Sequence, residues 1–155
     1  MKSNSPRKIV KILNILLKIS LIVEVILLLT LWKWLELLNI KLDILVFLIY
    51  PAGILFLELV IQFIKLFSQF NAEKAFHLNT VKHLKNSSKI SFVISIITFI
   101  GLLLAIFVYP TYTLTLKISL TFFTILFIGV GIALYLLAEL FRQATEFKEE
   151  NDLTI

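Results

Sequence analysis

Two carboxylates, Glu24 and Glu58, stand inside otherwise apolar runs of this chain. A charged side chain at the centre of a hydrocarbon layer costs roughly 3 kcal/mol on insertion scales, so it faces protein, takes a partner or holds a proton. Ser20 lies one helical turn before Glu24, in position to donate to it. Glu58, Gln62 and Lys65 share one helical stripe, at offsets of four and seven, and Pro51 lies a heptad earlier on that face. Two roles fit these residues. Glu24 and Glu58 form a proton or cation site, or they are protonated or hydrogen-bonded links between helices. The second, plainer role is preferred, because no other titratable group lies at that depth.

Other chemistries lack their residues. His77 and His83 are six apart, which on a helix sets them ~240° from each other. They are poor joint metal ligands, and no cysteine or third histidine completes a site. No nucleophile–base pair, Gly-rich phosphate loop or HExxH motif is found. A non-enzyme without metal or cofactor is expected.

The elements that position these groups are membrane spans. Hydrophobic residues make up 59% of the 155, charged residues 16%, and the mean hydropathy is +0.99. A soluble domain carries nearer ~25% charged residues. The apolar residues come in blocks of about 20, the length that crosses a ~30 Å hydrocarbon core as a helix. Spans are expected at about 12–34, 43–65, 90–109 and 118–140, with a loop at 66–89 and a tail at 141–155. Pro110 is the expected stop of the third. The fold class expected is all-α, an integral membrane four-helix antiparallel bundle forming a single domain. Glu24 interrupts the first apolar run and no Ala-x-Ala-like site follows it, so an uncleaved span is expected rather than a signal peptide.

Lysine and arginine set the orientation. The N-terminal segment carries five, the loop with the end of the second span five, and the tail two, against only Lys33, Lys41 and Lys117 on the other side. The positive-inside rule then places both termini and the long loop in the cytoplasm of a cell membrane. Trp32, Trp34, Tyr109 and Tyr112 fall at the opposite helix ends, where amphipathic rings collect.

Small and hydroxyl residues recur at helical spacing: Ser91, Ser95, Thr98, Gly101 and Ala105 in the third span, Thr121, Thr124, Gly131 and Tyr135 in the fourth. Such faces let membrane helices approach closely. Gly101-x-x-x-Ala105 and Gly129-x-x-x-Ala133 are expected to meet as packing pairs. The loop at 70–89 reads as a separate cytoplasmic amphipathic helix between spans two and three, capped by Asn71. Its apolar stripe is Ala75, Leu78, Val81 and Leu84, with Lys74, Lys82 and Lys85 around it. A basic amphipathic helix beside the bilayer lies on anionic lipid head groups. Direct nucleic-acid binding would want a larger basic surface and a readable motif. Beyond Ala138 the fourth helix is expected to run on, with Leu140, Ala144 and Phe147 as a narrow apolar stripe and a stop near Asn151.

Two stretches carry a family resemblance. "KAFHLNTVKHLKNSSKI" and "LFRQATEFKEENDLTI" resemble the loop and end of domain-of-unknown-function family 2975, small bacterial four-span membrane proteins. Phe76, Asn79 and Leu84 match the loop pattern. Glu149, Glu150, Asn151, Asp152, Leu153, Thr154 and Ile155 match the end. Ala75 stands where the family usually has proline, and Ser87 or Ser88 where it often has glycine. The resemblance implies no activity. It does imply a genetic neighbour, a small helix-turn-helix regulator of the Cro type. The expectation is a non-catalytic regulatory or accessory protein whose cytoplasmic loop and tail contact such a partner. Leu153 and Ile155 would anchor it, and Glu149, Glu150 and Asp152 would complement a basic surface. The alternatives are a small proton-coupled exporter using Glu24 and Glu58, and an immunity-type membrane protein.

Overall fold

The computed structural model describes residues 5–37, 44–71, 77–108 and 114–153. It consists of four helices: α1 Ser5–Leu37, α2 Ile44–Asn71, α3 Leu78–Phe107 and α4 Leu114–Leu153. All four are long and apolar enough to cross a membrane. No strand occurs among the described residues.

The helices pack in chain order. α3 lies between α2 and α4, and α1 packs on α2 alone among the described helices. α2 and α4 reach each other through aromatic rings, Phe56 on Phe127 and Phe70 on Phe141, both edge to face. Ser88 Oγ donates to the Gly131 carbonyl at 2.8 Å, and Thr124 Oγ1 donates to Thr98 Oγ1 at 3.0 Å. Stepping forward on α3 is thus stepping back on α4. The α2–α3 contacts run the same way, with Leu66 clustered with Leu84, and Leu59 with Ile90 and Ile94.

Hydroxyl side chains are buried beside the apolar clusters, while large apolar side chains face outward. Thr80, Ser87, Ser88 and Ser91 are at most 2% exposed, whereas Leu29, Phe107 and Leu114 are more than 70% exposed. Lipid tails are as apolar as leucine, so burying leucine gains little. Close approach and hydrogen bonds between helices hold such a structure instead. On α4, Thr124, Gly131, Ala138 and Thr145 are buried at every seventh position, and the first three meet Thr98, Phe92 and Leu84 of α3. A Cβ on Gly131 would stand 3.1 Å from the ring of Phe92, so the glycine sets how closely α3 and α4 approach.

Several expectations require correction. Gly101 and Ala105 are buried, but Gly129 and Ala133 are exposed, and nothing lies within 4 Å of a Cβ built on Gly129. Gly129 is two residues from Gly131, which turns it ~200° around the helix and away from α3. Thr121 and Tyr135 are also exposed. The part of the expected loop helix from residue 78 on is instead the start of α3, continuous with the third span. Polar lysines lower the hydropathy of 78–89 without interrupting its backbone hydrogen bonds. Of its apolar stripe, Val81 and Leu84 are 6% and 3% exposed and pack inside the protein, whereas Leu78 is 56% exposed. Asn71 closes α2, and the cap of α3 is His77, whose Nδ1 accepts from the Asn79 N–H at 3.2 Å. α3 ends at Phe107, where the Val108 N–H donates to the Leu104 carbonyl. Tyr109, Pro110, Tyr112, Lys74, Ala75 and Phe76 lie outside the described residues, as do the side chains of Trp32 and Trp34.

Candidate functional site

Six half-buried positions of α1 step by four and three: Val10, Asn14, Leu17, Leu21, Glu24 and Leu28. This 3.5-residue average keeps one seam of α1 turned to α2. Leu28 fills the space over Gly53, where a Cβ would collide with its Cδ2. Asn14 and Glu24 are the polar members of that seam. Asn14 Oδ1 and Glu24 Oε2 are both buried atoms with no hydrogen-bond partner among the described residues. Ser20 does not serve Glu24, because its hydroxyl donates to the Leu17 carbonyl at 2.8 Å. A serine in mid-helix reaches its own preceding turn before it reaches the next one.

Glu24 stands where two clefts meet. One, of about 450 Å³, opens between α1, α2 and α4 with α3 as its floor. Its polar members beside Glu24 are Thr98 and Ser119; the rest of the lining, such as Leu31, Ala52 and Phe123, is apolar or glycine. The other, of about 620 Å³, lies nearer the start of α1, against Phe56, Val60 and Phe63. Glu24, Leu27 and Phe56 border both. The arrangement is one carboxyl group in an apolar, laterally open groove. It has a group that can hold a proton or meet a cation, and it has no second titratable group on its walls.

Glu58 is not part of it. Glu58 is exposed and lines neither cleft. It stands two residues from Phe56, and so ~200° around α2 from the cleft wall. The stripe expected from Glu58, Gln62 and Lys65 divides in the structure. Glu58 and Lys65 are exposed, while Gln62 is 8% exposed and turned to α3. Nδ1 of His83 lies 2.8 Å from Oε1 of Gln62, so the Nδ1–H tautomer donates across the α2–α3 interface. The ammonium groups of Lys65 and Lys82 bear on the same ring. Sequence spacing within one helix gave no signal of this pair, which lies 21 positions apart. Asn14 was missed because it stands near the start of the first span, among the lysines, where a polar residue is unremarked.

The tail continues α4. Its last fifteen described positions hold a ladder in which Arg142 binds Glu139 one turn back and Glu146 one turn on. Thr145 is buried and its hydroxyl donates to the Phe141 carbonyl at 2.8 Å. From Glu146 to Glu150 every side chain is exposed, and Phe147 is 66% so. The backbone is helical through Asn151, Asp152 and Leu153; the contacts of these side chains, and all of Thr154 and Ile155, lie outside the described residues.

Long apolar helices, buried hydroxyls and an outward leucine and isoleucine surface define a multi-pass membrane protein. Within that class, the profile of a family described as protein of unknown function, DUF2975, matches residues 15–155, and the chain belongs to that family. No curated protein and no solved structure matches it.

Proposed function

We propose that the four helices cross the cell membrane as an antiparallel bundle, with both termini cytoplasmic, and that the protein is a non-catalytic regulatory or accessory component. The charge count supports the orientation. Lys82 and Lys89 are exposed on α3 before the apolar part begins, where they would meet anionic head groups. The observation that carries the function is α4. Its 40 residues span about 60 Å, twice the hydrocarbon thickness, so its end stands clear of the membrane as a helix. That end exposes Glu146, Glu149 and Glu150 beside Phe147, a surface suited to a basic partner such as a small helix-turn-helix regulator. The role needs no direct contact with nucleic acid. The test is recovery of that regulator by the solubilised full chain and by one lacking residues 149–155. Loss on truncation is expected; equal recovery would sink the proposal.

The Glu24 groove favours a second reading, a small proton-coupled exporter of lipophilic cations. It would rest on Glu24 alone, since Glu58 is elsewhere. Glu24→Gln should then abolish dye efflux from cells overproducing the protein, and unchanged efflux would dismiss it.

A further inference from the structure

The outward face of α2 repeats like the seam of a coiled coil. Phe47, Pro51, Ile54, Glu58, Ile61 and Lys65 follow at steps of four, three, four, three and four, and all are exposed. Phe47 is 77% and Ile54 61% exposed. A period of 3.5 residues is that of two helices winding left-handedly about each other. Apolar exposure by itself says only that lipid lies there. Glu58 says more. It sits four residues from the middle of the expected span 43–65, about 6 Å from the bilayer centre. With a hydrocarbon half-thickness of about 15 Å, the head groups are some 9 Å away. No described residue of the same chain hydrogen-bonds to it. A carboxyl group in that position needs a protein partner.

We propose that the Phe47–Lys65 face of α2 is the interface of a parallel homodimer in which the Glu58 carboxyls of two copies hydrogen-bond to each other. The occupant follows from orientation and symmetry. All copies insert the same way if the basic ends decide, so a two-fold axis runs along the membrane normal. Each seam residue then meets its own counterpart at its own depth. Glu58 meets the one group certain to be there, a second carboxyl. A protonated carboxyl donates its O–H to an oxygen of the other, so neither faces lipid unpartnered. Ile54 and Ile61 pack above and below the pair. Lys65, a heptad nearer the cytoplasm, leaves the seam by its flexible stem and keeps its ammonium in water. A single polar residue in an apolar seam also fixes register and the number of strands.

The chain has no cysteine, so single cysteines report cleanly. Ile54→Cys and Ile61→Cys, oxidised in native membranes, should form disulfides at twice the monomer mass. Ile125→Cys and Phe122→Cys, on exposed positions of α4, should not. Equal cross-linking at all four positions, none at 54 and 61, or bands there of another mass would overturn the proposal. Association in vesicles, read by energy transfer between labelled copies, tests the carboxyl pair. Glu58→Gln should keep the dimer, because amides also pair. Glu58→Ala should weaken it about 3- to 30-fold, the range measured for polar contacts between membrane helices. Unchanged association of Glu58→Ala would refute the pairing.

Discussion

Replacing Gly131 by valine tests the packing of α3 on α4. The three nearest atoms to a Cβ at that position are Cε1 and Cζ of Phe92 at 3.1 Å and Cδ1 at 3.2 Å, below the 3.4–4 Å of ordinary contact. One methyl would press on the ring, and the two further methyls of valine would force the helices apart. Overpacking of this kind costs about 1–3 kcal/mol. Separation also stretches the bond from Ser88 Oγ to the Gly131 carbonyl, worth about 0.5–1.5 kcal/mol. The expected loss is therefore about 1.5–4.5 kcal/mol. Gly131→Ala should lose less, since the helix propensity of alanine returns up to about 1 kcal/mol. Gly129→Val is the control. Its Cβ meets nothing within 4 Å, and a surface substitution shifts stability by no more than about 0.5 kcal/mol. Pulse proteolysis across a series of SDS mole fractions in mixed micelles measures all three variants. If Gly129→Val and Gly131→Val lose the same stability, the glycine contact is not what positions these helices.

Two further predictions concern polar contacts. Gln62→Ala should cost about 1–2 kcal/mol by leaving His83 without its partner, and a double-mutant cycle with His83→Ala should show coupling; additive losses would mean the two side chains do not bond. Arg142→Ala removes the ladder joining Glu139 and Glu146, so amide exchange over 143–153 should quicken while the buried half of α4 stays protected, and unaltered exchange would show that the extension is held by other means.

Hydropathy and charge made the number of helices readable, because a bilayer demands a long apolar block for each span. The α3 face was also readable: Ser91, Ser95, Gly101 and Ala105 are buried as their spacing required. Other features lay beyond one-dimensional pattern. A small-xxx-small motif is the same string on either side of a helix, so Gly129 and Gly131 could be told apart only by where Phe92 stands. Lysines at 82, 85 and 89 broke the hydropathy of α3 but not its helix, and the segment read as a separate element. Glu24 and Glu58 share a residue type and an apolar setting, yet one borders a groove and the other faces outward. That difference depends on which side of α2 receives α1. The partner of Gln62 lies on another helix, at a distance no periodicity reports.

The continuity of α4 has a mechanical consequence. From Gly131 to Leu153 the helix contains neither proline nor another glycine after Gly131 itself. That stretch is a shaft about 33 Å long, and a tilt of about 5° at its base swings its tip by roughly 3 Å. Helices bend sharply only at identifiable breaks, so the shaft carries such a tilt outward instead of absorbing it. The shaft is packed along its first half through Leu134, Ala138 and Phe141, so a slight change in the spacing of the helices moves the whole rod, and its exposed end at 146–150 moves with it.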